Sequence, residues 1–342
     1  MAGGEGAKEM HLNISTPLVL TIYIFTFVIG LPSNLLAFYT FLVKVRQKPT
    51  PANVFLLNLT VSDVLLLIFL PFKMVEAASG MVWNLPYFLC PITNFIYYGS
   101  IYISSLFLMA VSVERYLGVA FPIKYKLCRR PAYAAVASVV FWVATYCKCS
   151  IVYIVQYKNG PSSPIQSNES YCYENFTATQ LQILLPVRLE FFIVLFCLPF
   201  TITLFCYVSF VRILVALPSI PARRKQRAVG LAVATLSNFI ICFAPYNLSH
   251  LVGFVQKDSP RWRVYALLLT TLNASMDPAI FYFSSTAVQR AFADCLTGLR
   301  HRLSSLMAWC HVSCLTCCKE EDREGKASTE DQAEESKTGP PI

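Results

Sequence analysis

Seven apolar runs, at about residues 17–43, 53–77, 88–120, 133–157, 181–211, 228–256 and 263–285, dominate this sequence. Each is long enough for a helix that crosses a bilayer, which needs ~20 residues, and far longer than the ~10 of a barrel strand. None alternates apolar and polar positions as a barrel strand does. Composition points the same way. Hydrophobic residues make up 56% of the 342 and charged ones 14%, with mean hydropathy +0.53, more apolar surface than a soluble core can hide. The expected fold is an all-α membrane protein, a seven-transmembrane helix bundle over 17–285, preceded by an extracellular segment, 1–16. Pro32, Pro71, Pro199, Pro245 and Pro278 fall inside runs and predict kinks, which neighbouring helices make tolerable in a membrane. The polar first sixteen residues and the long run after them do not read as a cleavable signal.

Basic residues set the expected orientation. The connections after runs one, three and five carry Lys44, Arg46 and Lys48, then Lys124, Lys126, Arg129 and Arg130, then Arg212, Arg223, Arg224, Lys225 and Arg227, with no acid among them. The opposite connections mix Lys158, Lys257, Arg261 and Arg263 with Glu169, Glu174 and Asp258. The excess of bases belongs inside, which puts the N-terminus outside and the C-terminus in the cytosol. Of 13 cysteines, only Cys90 and Cys172 lie in or beside outward segments, so one disulfide is expected between them. Glycosylation sequons at Asn13, Asn168 and Asn175 share that side.

After the seventh run, residues 287–304 place Val288, Phe292, Cys295 and Leu299 at helical spacing opposite Arg290, Asp294, Arg300 and Arg302. This pattern predicts a short amphipathic membrane-surface helix. Cys310, Cys314, Cys317 and Cys318 follow it, a run suited to reversible palmitoylation beside a lipid surface. A zinc knuckle would need a second ligand cluster, which the chain lacks. The polar tail, 305–342, is expected to be cytoplasmic and disordered.

Ionisable groups inside spans are costly and mark function. They form three tiers. Innermost is Glu114-Arg115-Tyr116, ~37 Å along the third helix from Cys90. In the middle are Asp63 and Asp277, with Asn34, Ser104 and Asn273 at similar depth, a set of oxygens that suits sodium or a water network. The outer tier holds Lys73, Glu76, Lys148, Arg188, Glu190, His250 and Arg263. Four bases against two acids imply an anionic ligand, and two guanidiniums with His250 as a third donor can grip a carboxylate.

The motifs together identify a family. Asn34 in GLPSN, Asp63, the ERY triplet, Trp142, Pro199 with Tyr207, Cys242-Phe243-Ala244-Pro245 and Asp277-Pro278 resemble the rhodopsin-family (class A) G-protein-coupled receptors over nearly the whole chain except the tail. FLPFKMVEAA, ERYLGVAFPIKYKL, CYENF, LPVRLE, APYNLSHLVG and LNASMDP with FYFSS resemble more narrowly the short-chain free fatty acid receptors, with segments similar to both types 2 and 3. The resemblance implies a receptor for small carboxylates in which Arg188, Arg263 and His250 hold the ligand and Tyr246, Tyr173 and Glu174 border it. It also implies coupling through Glu114, Arg115, Tyr116, Tyr207, Phe243, Pro245, Asp277 and Pro278 to heterotrimeric G proteins of the inhibitory and phospholipase-coupled classes, with arrestin and receptor kinases as further partners. Three positions depart from the pattern. Lys148 stands where the family usually has His, Phe281 replaces a tyrosine with Tyr282 one residue on, and Lys225 takes the place of an acid that in many class A receptors restrains the equivalent of Arg115.

A secondary transporter of small carboxylates is the alternative reading, but transporters usually carry internal repeats and the two halves of this chain show none. No HExxH or GxSxG motif suggests an intramembrane enzyme. No cofactor and no nucleic-acid partner are expected; ligand, G protein and membrane lipid are.

Overall fold

The computed structural model describes residues 15–86, 88–128, 130–158, 172, 178–298, 300–302 and 304. The residues at Asn13, Asn168, Asn175, Tyr173, Glu174, Cys310, Cys314, Cys317 and Cys318 lie outside that set. Seven helices are long and apolar enough to cross a membrane: α1 Thr16–Gln47, α2 Pro51–Ala78, α3 Leu89–Ala120, α4 Pro131–Val155, α5 Thr179–Ala216, α6 Ala222–Gln256 and α7 Arg263–Ser284. The described bases after α1, α3 and α5 lie at one end of the bundle, called here the basic end; Cys90 lies at the other. A short helix, Pro122–Cys128, follows α3 and was not expected from the sequence. Residues 286–298 are helical again; Val288 is buried and Cys295 and Leu296 are exposed.

Packing ranks the helices. The apolar stretch of α3 is 78% buried and that of α4 only 17%, so α3 is the axis of the bundle and α4 its outermost member. Gly99 lets the two approach: a Cβ there would meet the Tyr146 ring at 2.5 Å. Trp142 reaches from α4 to α2, its Nε1 donating to Asn58 Oδ1 at 2.9 Å. Buried carboxamides pin α1 in turn, with Asn34 Nδ2 donating to the Ala274 carbonyl of α7 at 2.7 Å.

Two of the five prolines follow a change of helix type. A π-helical turn, Phe192–Cys197, precedes Pro199 in α5, and a second, Phe239–Phe243, precedes Pro245 in α6. A proline has no N–H for the carbonyl four residues earlier. That carbonyl is Leu195 in α5 and Ile241 in α6, each inside its π turn. Such turns mark local rearrangement of the ladder and cluster at functional sites.

The expected disulfide joins Cys90 to Cys172, Cα atoms 5.9 Å apart. Trp83 clusters with the bridge, and Asn94 Nδ2 donates to Cys172 Sγ at 2.8 Å. The bond ties the connection between α4 and α5 to the start of α3. Cys90→Ser and Cys172→Ser should therefore lower cell-surface yield and thermal stability to the same extent, and the double variant should lose no more, because all three remove one bridge. Additive losses on thermal unfolding of the purified variants would show that each cysteine acts on its own.

Candidate functional site

Three polar regions occur along the bundle axis. Nearest the disulfide is a cavity of about 40 Å³ lined by Phe95, Tyr98 and Tyr102 of α3, Cys149, Val152 and Tyr153 of α4, Arg188 and Phe191 of α5, Tyr246 and His250 of α6 and Arg263 of α7. That volume is roughly three water positions. Helical geometry explains the α3 contribution, since positions 95, 98 and 102 recur at i, i+3 and i+7 and share a face.

Arg263, Arg188 and His250 each meet a hydroxyl. Arg263 Nη2 donates to Tyr246 Oη at 3.0 Å, with the guanidinium carbon 5.3 Å from the Tyr246 ring centre. Arg188 Nη1 donates to Ser259 Oγ at 2.9 Å, and its side chain is only 8% exposed. His250 Nε2 and Tyr102 Oη are 3.0 Å apart, while His250 Nδ1 is buried without a hydrogen-bond partner. Tyr246 lies between His250, edge-on with ring centres 4.7 Å apart, and Tyr98, stacked at 6.4 Å. Among the described residues the cavity is lined by two guanidiniums and no carboxylate, and low-dielectric walls strengthen the field of such charges.

Arg188, Arg263, His250 and Tyr246, which the sequence singled out, thus meet at one cavity. Lys148 does not line it. Its ammonium pairs instead with Glu190 where both side chains are about two-fifths exposed. The next residue, Cys149, is buried and faces the cavity, because one step along a helix turns the side chain by ~100°. Lys73 is likewise taken up, buried with Glu76 at 2.7 Å and 5.8 Å from the Tyr97 ring centre. Sequence reading missed Tyr98, Tyr102, Phe191 and Ser259. The 95/98/102 spacing just after Cys90 was the signal available for the aromatics.

Midway along the bundle lies a second polar group. Asn238 Nδ2 donates to Asn273 Oδ1 and to Asp277 Oδ1, both at 2.6 Å, and Asn273 Nδ2 lies 3.4 Å from Asp63 Oδ1. Asp63, Asp277 and Ser104 are each fully buried. Asp63 Oδ2, Asp277 Oδ2 and Ser104 Oγ have no hydrogen-bond partner. Orphaned buried oxygens of this kind fit a small hard cation, which takes carboxylate and hydroxyl ligands. Asn238 was not foreseen, being one asparagine inside an apolar run.

At the basic end a larger cavity, about 330 Å³, is lined by Lys44, Arg115, Arg224 and Arg227 among apolar residues of α5 and α6 and residues 283–286. Arg115 Nη2 donates to the Ser284 carbonyl at 3.1 Å, Lys44 reaches Ser285 Oγ, and Glu114 accepts from the Tyr125 hydroxyl of the short helix. Tyr116 packs on Phe205, ring centres 5.6 Å apart. Between the cavities, Tyr207 accepts from Thr235 at 3.3 Å, and Phe243 sits against Phe239 at 5.7 Å. Pro245 and Pro278 stand within α6 and α7 near these groups.

Residues 33–281 match the model of the 7 transmembrane receptor (rhodopsin family). The chain is 53% identical over 291 residues to the free fatty acid receptor 2 of Rattus norvegicus, an alignment covering 85% of this chain and 88% of that one. It is 49% identical over 291 residues to the Homo sapiens free fatty acid receptor 2, with the same coverage, and 47% identical over 294 residues to the Homo sapiens free fatty acid receptor 3, covering 86% and 84%. The chain belongs to the rhodopsin family of seven-transmembrane receptors. It is a multi-pass protein of the plasma membrane that takes a small-molecule ligand and couples to G proteins, and the transporter reading loses its support.

In this receptor two departures from the family pattern look different in three dimensions. Phe281 is fully buried, edge-on to Phe41 at 5.7 Å, and Tyr282 is 44% exposed, so it does not replace the missing hydroxyl inside the bundle. Lys225 points to α5, its ammonium donating to the Val215 carbonyl at 2.9 Å, a favourable site for a cation at a helix C-terminus. Arg224 and Arg227, not Lys225, share the cavity with Arg115. An acid at the Lys225 position would therefore miss Arg115. Arg227→Glu puts a carboxylate on the wall that Arg115 lines, and even ~1 kcal/mol of pairing changes a minor active population about fivefold. Ligand-independent nucleotide exchange at matched surface expression should fall about fivefold in Arg227→Glu and stay unchanged in Lys225→Glu; the reverse order would contradict this placement.

Proposed function

We propose that this receptor senses short-chain fatty acids or similar small carboxylates and passes the signal to heterotrimeric G proteins of the inhibitory and phospholipase-coupled classes. The observation that carries the reading is the meeting of Arg188 and Arg263, from α5 and α7, at one small cavity with His250 and four tyrosines. Two guanidiniums match a carboxylate in charge and fork geometry. A cavity of about 40 Å³ suits a head group with a chain of a few carbons. The relatives' names, free fatty acid receptors 2 and 3, agree with that chemistry. Tyr173 and Glu174, next to Cys172, complete the proposed border of the site, and Lys148 acts on it only through the α4–α5 contact.

The N-terminus is proposed to be extracellular and the C-terminus cytoplasmic, on the asymmetry of bases. The cavity at the basic end then receives the G protein, with Arg115 at its floor, and arrestin and receptor kinases use the same face. Asn13, Asn168 and Asn175 are proposed glycosylation sites, and Cys310, Cys314, Cys317 and Cys318 proposed palmitoylation sites.

A panel of straight-chain carboxylates from two to eight carbons, read as G-protein nucleotide exchange, tests the assignment. The shortest acids should be the most effective. Arg188→Ala or Arg263→Ala should abolish the response at normal surface expression, since removing one partner of a desolvated charge pair costs about 2 to 5 kcal/mol. Wild-type potency in either variant would refute the ligand reading.

The middle group of oxygens is proposed as a sodium site held by Asp63, Ser104, Asn273 and Asp277. An ion that binds only one packing of the bundle shifts the population toward it. Sodium should reduce carboxylate potency relative to an equal concentration of N-methylglucamine, and Asp63→Asn should remove the difference. Equal potency in the two salts would assign these oxygens to water.

A further inference from the structure

The segment between α6 and α7 determines where both arginines stand. Helix α6 ends with Lys257 in the left-handed region, φ 57°. Its N–H and that of Asp258 both donate to the Gly253 carbonyl, the latter at 3.2 Å. The segment folds back so closely that a Cβ on Gly253 would lie 2.9 Å from the Asp258 carbonyl oxygen. Asp258 Oδ1 then accepts from the Ser259 N–H at 2.7 Å, and the Arg263 N–H donates to the Pro260 carbonyl at 3.0 Å. Three successive local constraints thus fix Ser259 in space, and Arg263 opens α7 four residues later.

Ser259 Oγ accepts from Arg188 Nη1 at 2.9 Å. Arg188 and Arg263 line the same cavity, and two guanidiniums so placed repel each other. An arginine side chain also has rotamer freedom to lose when it is held. The bond to Ser259 restrains that freedom before an anion arrives. We propose that Ser259 is a positioning residue for Arg188: its hydroxyl, held by the folded α6–α7 segment, sets the guanidinium in the orientation that receives a carboxylate and at the same time latches that segment over the cavity. The inference rests on the carboxylate reading above for its effect on potency, while the latch itself does not depend on any ligand. One short segment thereby presents both cations, Arg263 through the chain and Arg188 through a side-chain bond.

Two measurements on full-length receptor in lipid nanodiscs test this. Amide hydrogen exchange over residues 257–262, without ligand, should rise in Ser259→Ala and in Arg188→Ala, and the double variant should exchange no faster than either. Ser259→Thr keeps the hydroxyl and should exchange as the native chain does. In nucleotide exchange driven by propionate, Ser259→Ala should raise the half-maximal concentration roughly five- to tenfold, the scale of one ordinary hydrogen bond, with the maximal response intact, and Ser259→Thr should restore potency. Unchanged amide exchange in Ser259→Ala overturns the latch. Native potency in Ser259→Ala, or an equal loss in Ser259→Thr, overturns the positioning role. A native chain that ignores propionate yet shows the amide-exchange pattern refutes the carboxylate reading and leaves the latch standing.

Discussion

Hydrocarbon offers no hydrogen-bond partner, so each polar side chain in a span has to find one inside the bundle. That constraint fixes how the helices turn about their own axes. Asn34 is held to α7 through the Ala274 carbonyl, Trp142 of α4 to Asn58 of α2, and Asn238 of α6 to Asn273 and Asp277 of α7. Once these contacts choose the inward faces, the remaining polar groups follow. Lys73 and Glu76 pair in the interior, and arginines line the two cavities.

Helix α6 takes part in all three polar regions. Tyr246 and His250 line the small cavity, Asn238 joins the middle network, and Arg224 and Arg227 line the cavity at the basic end. Between the first two regions lie the π turn Phe239–Phe243 and Pro245, where the helical ladder is already interrupted. A bend or rotation there needs few intact hydrogen bonds to break. A ligand that binds one arrangement of Tyr246 and His250 more tightly than another can bias the far end of α6 through that interruption, by population shift rather than by a wire of contacts.

Much of this was legible in the sequence because the membrane makes it so. The spans could be read from length alone, and Arg188, Arg263, His250, Asp63 and Asp277 stood out because charge inside an apolar run is rare. Aromatic residues carry no such mark: Tyr98 and Tyr102 look like any buried ring until α3 is seen to be the axis. Lys148 and Lys225 failed for a shared reason. Each was assigned by its place in a pattern, yet a neighbour one or two residues away, Cys149 or Arg227, occupies the face in question. The π turns of α5 and α6 add a separate difficulty, since an extra residue in a turn shifts every face beyond it in a way that a fixed 3.6-residue period cannot register. Ser259 was invisible because its role comes from a folded connection, not from a helix face.

Size and charge together limit what the small cavity can recognise. A ligand gains at best about 1.5 kcal/mol per non-hydrogen atom, so a carboxylate of four to six such atoms has a ceiling of roughly 6 to 9 kcal/mol. Two of its atoms are the carboxylate oxygens, and the few carbons left bury little apolar area. Most of its affinity must then come from the two guanidiniums, and it is available only if they need no rearrangement on binding. The bonds from Arg263 to Tyr246 and from Arg188 to Ser259 serve that end. A hydroxyl orients a guanidinium without cancelling its charge.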